Sequence, residues 1–254
     1  MIYIFLLIII LFFVINNNIK YFENFDNNVI FINNNNLFKI LKKDDDNYYK
    51  SFYKNDLYSR HVNDVYEYIN LIEQSTDNFN NFEKNKIISC VNDINNLFKK
   101  INYGWFQGKK ANIIPWKFGC VKGKLYENGL PHTRNDIIII SKEDINKLSY
   151  IKLKKTLIHE KVHVYQKKYY DDVKKYLDGH NFIKFKKRQE IDNIRANPDL
   201  DNWIYKDNKK NIYKAQYNKN PQSIEDIIYS PINTQSYEHP YEKMAIEIEN
   251  AIYL

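Results

Sequence analysis

The chain has 254 residues, with 38 lysines and arginines against 31 aspartates and glutamates, for a net charge of +7. That length suits one sizeable domain rather than several, and a cysteine count of two, Cys90 and Cys120, excludes a disulfide-built scaffold and a thiolate zinc site. The cations are spread along the whole chain instead of gathered in one stripe, and no nucleic-acid-binding motif accompanies them, so nucleic acid is not an expected partner.

In chain order, Ile2 to Ile15 comes first, and every residue in it is apolar or tyrosine. As a helix it covers roughly 21 Å against a hydrocarbon core of ~30 Å. It holds no lysine, arginine or alanine, which a signal peptide with its cleavage site would need. We therefore expect an uncleaved single-pass anchor over residues 1–16, with residues 2–15 in a lipid bilayer and the protein located at a membrane. Residues 17–57 are rich in asparagine, lysine and aromatic residues without a sustained period, and read as a stalk or irregular entry segment. The folded domain is expected over 58–254.

Within it, Val62, Val65, Tyr68, Ile69 and Ile72 fit one helix face, and Ile87, Val91, Ile94, Leu97, Phe98 and Ile101 fit another. Asp136 to Ser141 contains four consecutive isoleucines, a β-branched run of strand length. Ser141 with Asp144 resembles a capping box, and a long helical pattern follows from about 151 to 169. Beyond it we expect a short helix near 171–177, another near 183–194 that stops before Pro198, and a hairpin from Trp203 to Tyr217 turning at Asp207 to Lys210. Pro240 opens a last helix. The fold class is α+β, mainly helical with a small mixed sheet. Cys90 and Cys120 read as buried thiols, a single disulfide being the alternative.

The chemistry lies in Leu157-Ile158-His159-Glu160-Lys161-Val162-His163, an H-E-x-x-H pattern. On a helix, residues four apart share a face, so His159 and His163 converge on one ion while Glu160 reaches a water beside it. Apolar Leu157, Ile158, Val162 and Val164 flank the motif as a helix in a core requires, and polar groups there are costly unless partnered.

This segment resembles the active-site helix of the zincin metallopeptidases. Thr156 to Gln166 is similar to the H-E-x-x-H-V-x-Q form of several zincin-like families, and Gly129 to Ile140 resembles the edge strand that precedes that helix and pairs with extended substrate. The metzincin extension would need glycine at position 166 and histidine at 169, where this chain has Gln166 and Tyr169. The resemblance instead implies a His, His, Glu site holding Zn2+. Its third ligand would be Glu242 in Glu238-His-Pro-Tyr-Glu-Lys-Met-Ala245, with Glu190 the main rival and His239, Glu238 and His180 behind it. Position 246 is isoleucine, so the aspartate that orients a zinc histidine in thermolysin-like members is missing.

Glu160 is then the general base, and His132 or Tyr237 is a candidate donor to a developing oxyanion. Arg195, Asn197 and Asp199 either shape the cleft or form a helix-stop turn, and Tyr165 and Tyr169 read as packing. The implied function is a membrane-tethered zinc metallopeptidase acting on peptides laid against strand 137–140. The alternative is a zincin-like structural or binding protein of the membrane without peptidase activity, against which the presence of a base, Glu160, argues.

Overall fold

The structure is a computed structural model that describes residues 29–231 and 237–252. The anchor expected over residues 2–15 lies outside them, and among the described residues no helix is long and apolar enough to cross a membrane. The elements that position the site are β1 (Val29–Ile32), α1 (Asn34–Lys43), α2 (Val65–Ser75), β2 (Thr76–Asp77), α3 (Asn81–Phe98), β3 (Trp116–Val121), β4 (His132–Arg134) and β5 (Ile137–Ser141). They are followed by α4 (Tyr150–Lys168), α5 (Tyr170–Gly179), β6 (Ile183–Lys187), β7 (Trp203–Lys206), β8 (Ile212–Tyr217), β9 (Ile227–Ser230) and α6 (Pro240–Ala251).

All four isoleucines of β5 are buried, which requires a sheet covered on both faces. Their side chains alternate accordingly. Ile138 and Ile140 join Trp116, Phe118 and the α4 residues Leu153, Leu157 and Ile158 in one core, while Ile137 and Ile139 join Leu37, Leu41, Tyr68 and Ile72 in a second. The fold is α+β, with a mixed sheet of order β1-β3-β5-β4 between two helical layers. Strands β1 and β5 run parallel to β3, β4 runs antiparallel to β5, and β2 pairs with the end of β3.

Three expectations need correction. The edge strand does precede the motif helix, but within 129–140 it is β4; residues 137–140, on which substrate was expected to lie, are an inner strand, hydrogen-bonded to β3 along one edge and to β4 along the other. From Val29 onward the expected stalk belongs to the domain: β1 pairs with Trp116 to Gly119, and Leu37 and Leu41 are buried. Gly119 makes room for this contact, since a Cβ there would meet Leu37 and Ile139 side-chain carbons at 2.6 and 2.7 Å. Leu37→Ala is expected to cost about 2–5 kcal/mol of stability, read as a lower denaturation midpoint at unchanged slope. A loss under about 0.5 kcal/mol, as for a surface site, would instead mean a stalk.

Within 183–194, Ile183–Lys187 form strand β6 and Arg188–Glu190 a short 3-10 turn, rather than a helix. Ile183 and Phe185 alternate with lysines at a period of two, and antiparallel pairing with β7 selects that pattern. The hairpin from Trp203 to Tyr217 turns where expected, between Asp207 and Asn211, within a four-stranded sheet of order β9-β8-β7-β6. Cys90 and Cys120 are buried free thiols in the core between α3, the first sheet and α4.

Helix α4 starts at Ser149, whose side chain accepts from the Lys152 amide; Ser141 caps a separate short helix, Lys142–Lys147. Helix α6 begins with Pro240 in its first turn and His239 as the cap accepting from the Tyr241 amide. Its buried Met244, Ala245 and Ile248 join the α4 core, and this packing carries the residues of the first turn of α6 to the motif.

Candidate metal centre

His159 and His163 project from one face of α4 with ring centroids 4.8 Å apart. Glu242, in the first turn of α6, sets one oxygen, Oε2, 3.2 Å from His159 Nε2 and 3.7 Å from His163 Nε2. The donor atoms of the three residues lie within 4.8 Å of one another. Tetrahedral zinc ligands at about 2.0–2.1 Å are roughly 3.4 Å apart, so the two imidazole–carboxylate separations bracket what one ion demands.

The rivals to Glu242 are engaged elsewhere. Glu190 is exposed and accepts from the Lys187 amide at 2.8 Å, Glu238 binds Arg195 and Asn197, His239 is the α6 cap, and His180 Nδ1 meets the Tyr176 carbonyl.

The tautomer of His163 follows from its neighbours. The Gln166 amide nitrogen donates to the Tyr241 carbonyl at 2.9 Å, so its oxygen faces His163 Nδ1 at 2.8 Å and accepts the hydrogen bond of an Nδ1–H. Nε2 is left with its lone pair, fully buried and without a hydrogen-bond partner. An orphaned buried acceptor of this kind is costly unless a cation meets it.

His159 Nδ1 stands 3.5 Å from Glu249 Oε2, and Asn197 donates to the other Glu242 oxygen at 3.3 Å. Glu249 lies two helical turns after Glu242, on the same face of α6. The sequence signal was a seven-residue spacing on the α6 face that meets α4. Gln166→Leu and Glu249→Ala are each expected to weaken metal affinity about 10–100-fold while leaving one site per chain, as measured by competition with a chelator.

The surroundings favour a positive charge at this spot, a proton or a metal ion. Burial opposes charge on the imidazoles, yet Glu242 and Glu249 hold His159 well above its ordinary pKa, and Asp199 and Glu242 raise His163. The Glu242 carboxyl is itself held well below its usual range, against its burial, by His163 and His159.

Glu160 is buried and accepts from Thr133 Oγ1 at 3.0 Å; burial and the carboxylate of Asp199 push its pKa up to about 7. Both carboxylates line a cavity of about 520 Å³ that also reaches His132, His159, Glu242 and Glu249.

His132 lies in that wall, 3 % exposed, with Nδ1 2.8 Å from the Leu130 carbonyl. A carbonyl only accepts, so Nδ1 carries the proton, and burial lowers the ring's pKa and keeps it neutral. Nε2 is therefore an acceptor, and the ring as placed does not offer the donor an oxyanion needs. Tyr237 stacks on Tyr213 with centroids 5.4 Å apart, and Tyr165 and Tyr169 pack together at 4.8 Å. Arg195, Asn197 and Asp199 do line the cleft. No family model, curated protein or solved structure matches this chain.

Proposed function

We propose that this protein is a zinc-dependent metallopeptidase, tethered to a membrane through residues 2–15, with His159, His163 and Glu242 as the residues that hold Zn2+. The observation that carries the reading is the buried, partnerless Nε2 of His163 aimed at a carboxylate that His159 shares, with Glu160 lining the same cavity. When bound, zinc supplies Lewis acidity that makes water a nucleophile near neutral pH.

The remaining work falls to the chain. Gln166 and Glu249 orient the imidazoles, and Asn197 turns one Glu242 oxygen away from them. Glu160, steadied by Thr133, takes a proton from the attacking water and returns it to the leaving amine. Loss of water from a buried site strengthens each of these interactions.

The test is metal content by elemental analysis of the purified chain and its variants. The parent and Glu190→Ala are expected to retain one zinc per chain, and His163→Ala and Glu242→Ala to lose it. A folded parent that stays metal-free in supplied zinc would overturn the reading.

A further inference from the structure

An antiparallel strand turns the N–H and C=O of alternate residues to the same side. In three-residue β4 this leaves Thr133 alone to offer an outward pair, and both groups are taken. Its amide donates to Asp199 Oδ1 at 2.6 Å, and its carbonyl accepts from Lys167 Nζ at 2.7 Å, the same amine reaching the Pro198 carbonyl at 2.8 Å. The segment that closes the edge is itself pinned: the Arg195 amide donates to the Ala215 carbonyl, the Ala196 amide to Asp56 at 2.8 Å, and Asn197 to Glu238 at 2.8 Å. A long peptide cannot add to β4 as a further strand, so a substrate that reaches Glu160 is expected to enter the cavity by an end.

The cavity also chooses which end. Its arginines are committed, Arg60 to Glu127 and Arg195 to Glu238 and the Ile224 carbonyl. Two lysines, Lys152 and Lys155, also line this cavity from the first turns of α4, Lys152 exposed and Lys155 half-buried. Beside Glu160, however, the nearest charge is a second carboxylate. Asp199, 7 % exposed, has one oxygen on Thr133 and the other without a hydrogen-bond partner among the described residues, and it lines the cavity with Glu160 and His132. A carboxylate terminus would meet repulsion there; an ammonium group would meet the donor-hungry corner it fits.

Building on the metallopeptidase reading above, we propose that the site takes the free amino terminus of a peptide, with Asp199 receiving the ammonium, so that residues are removed one at a time from that end. Asp199 is here a substrate-binding residue and adds no step to the hydrolysis.

The experiment is titration calorimetry of the full chain, its zinc content measured on the same sample, with Leu-Ala-Ala-amide and its N-acetyl form. The free amine is expected to bind about tenfold tighter or more, the worth of one charge-assisted hydrogen bond. Asp199→Asn keeps an oxygen for the Thr133 amide but removes the charge, and should erase that difference. Mass spectrometry of a longer peptide should show stepwise loss from the free amino end and none from the acetylated form. Equal binding of the two forms, or internal cleavage of the acetylated peptide, would overturn the proposal. A zinc-loaded chain that binds neither peptide would also overturn it while leaving the metal centre standing, and a chain without zinc would remove the metallopeptidase reading itself.

Discussion

Glu160→Gln is expected to hold zinc as the parent does and to hydrolyse peptide at least about 100-fold more slowly, the usual worth of a positioned general base. The substitution preserves shape and the contact with Thr133, since the amide oxygen can still accept from its hydroxyl at the 3.0 Å seen in the parent. What it removes is the proton acceptor. If Glu160 is the base proposed above, the loss should fall on kcat more than on KM, because a general base acts in the transition state. Zinc content measured beside the rate separates a missing base from a missing metal. Retained zinc with unchanged hydrolysis would mean that another group takes the proton and that the assignment of Glu160 is mistaken.

The second large effect concerns stability. Arg60 and Glu127 form a buried pair, side chains 2 % and 3 % exposed, with contacts of 2.9 Å from Nε to Oε1 and 2.7 Å from the guanidinium to Oε2. The hydroxyls of Tyr48 and Tyr68 donate to the same carboxylate. The pair ties the segment before α2 to the loop entering β4, at the wall of the candidate active site. Glu127→Ala leaves a guanidinium buried without its counter-charge and is expected to destabilise the chain by about 3–5 kcal/mol in denaturant unfolding. Replacing both residues by methionine, in a background with Tyr48→Phe and Tyr68→Phe so that no buried hydroxyl loses its acceptor, should recover much of that loss, because an apolar pair of similar volume carries no charge-desolvation cost. If the single and double variants were equally unstable, packing and not charge would be the cause.

The same pair sets a dependence on pH. Burial would raise the Glu127 carboxyl, but Arg60 and the tyrosine hydroxyl hold it down at about 2, against the ordinary value of 4.5. A depressed folded-state value means that the unfolded chain binds the proton more readily, so the pair's contribution is fully present above pH 4.5. It drains away as the pH falls from 4.5 toward about 2. The difference in stability between parent and Glu127→Gln should therefore shrink across that window and stay level above it.

Local periodic signals were enough for the parts of the site that lie within one helix. His159 and His163 share a face because four residues make about one turn, Pro240 opens α6, and the isoleucines of β5 are β-branched residues in a strand. The α+β class and the hairpin from Trp203 to Tyr217 follow from the same kind of pattern. The helix expected near 183–194 is instead strand over 183–187, because alternation over five residues is too short to decide between strand and helix until β7 lies beside it.

Everything that depends on distant partners was decided by tertiary structure. The pairing of β1 with β3 converts an apparent stalk into sheet, and the position of α6 against α4 brings Glu242 to His159 across 83 residues. Asp199 reaches the edge of β4 from 66 residues away, and Tyr48 reaches Glu127 from 79. No local propensity encodes such contacts; they are selected together because burying the apolar faces of α4, α6 and the sheet leaves one arrangement in which the buried charges also find their partners.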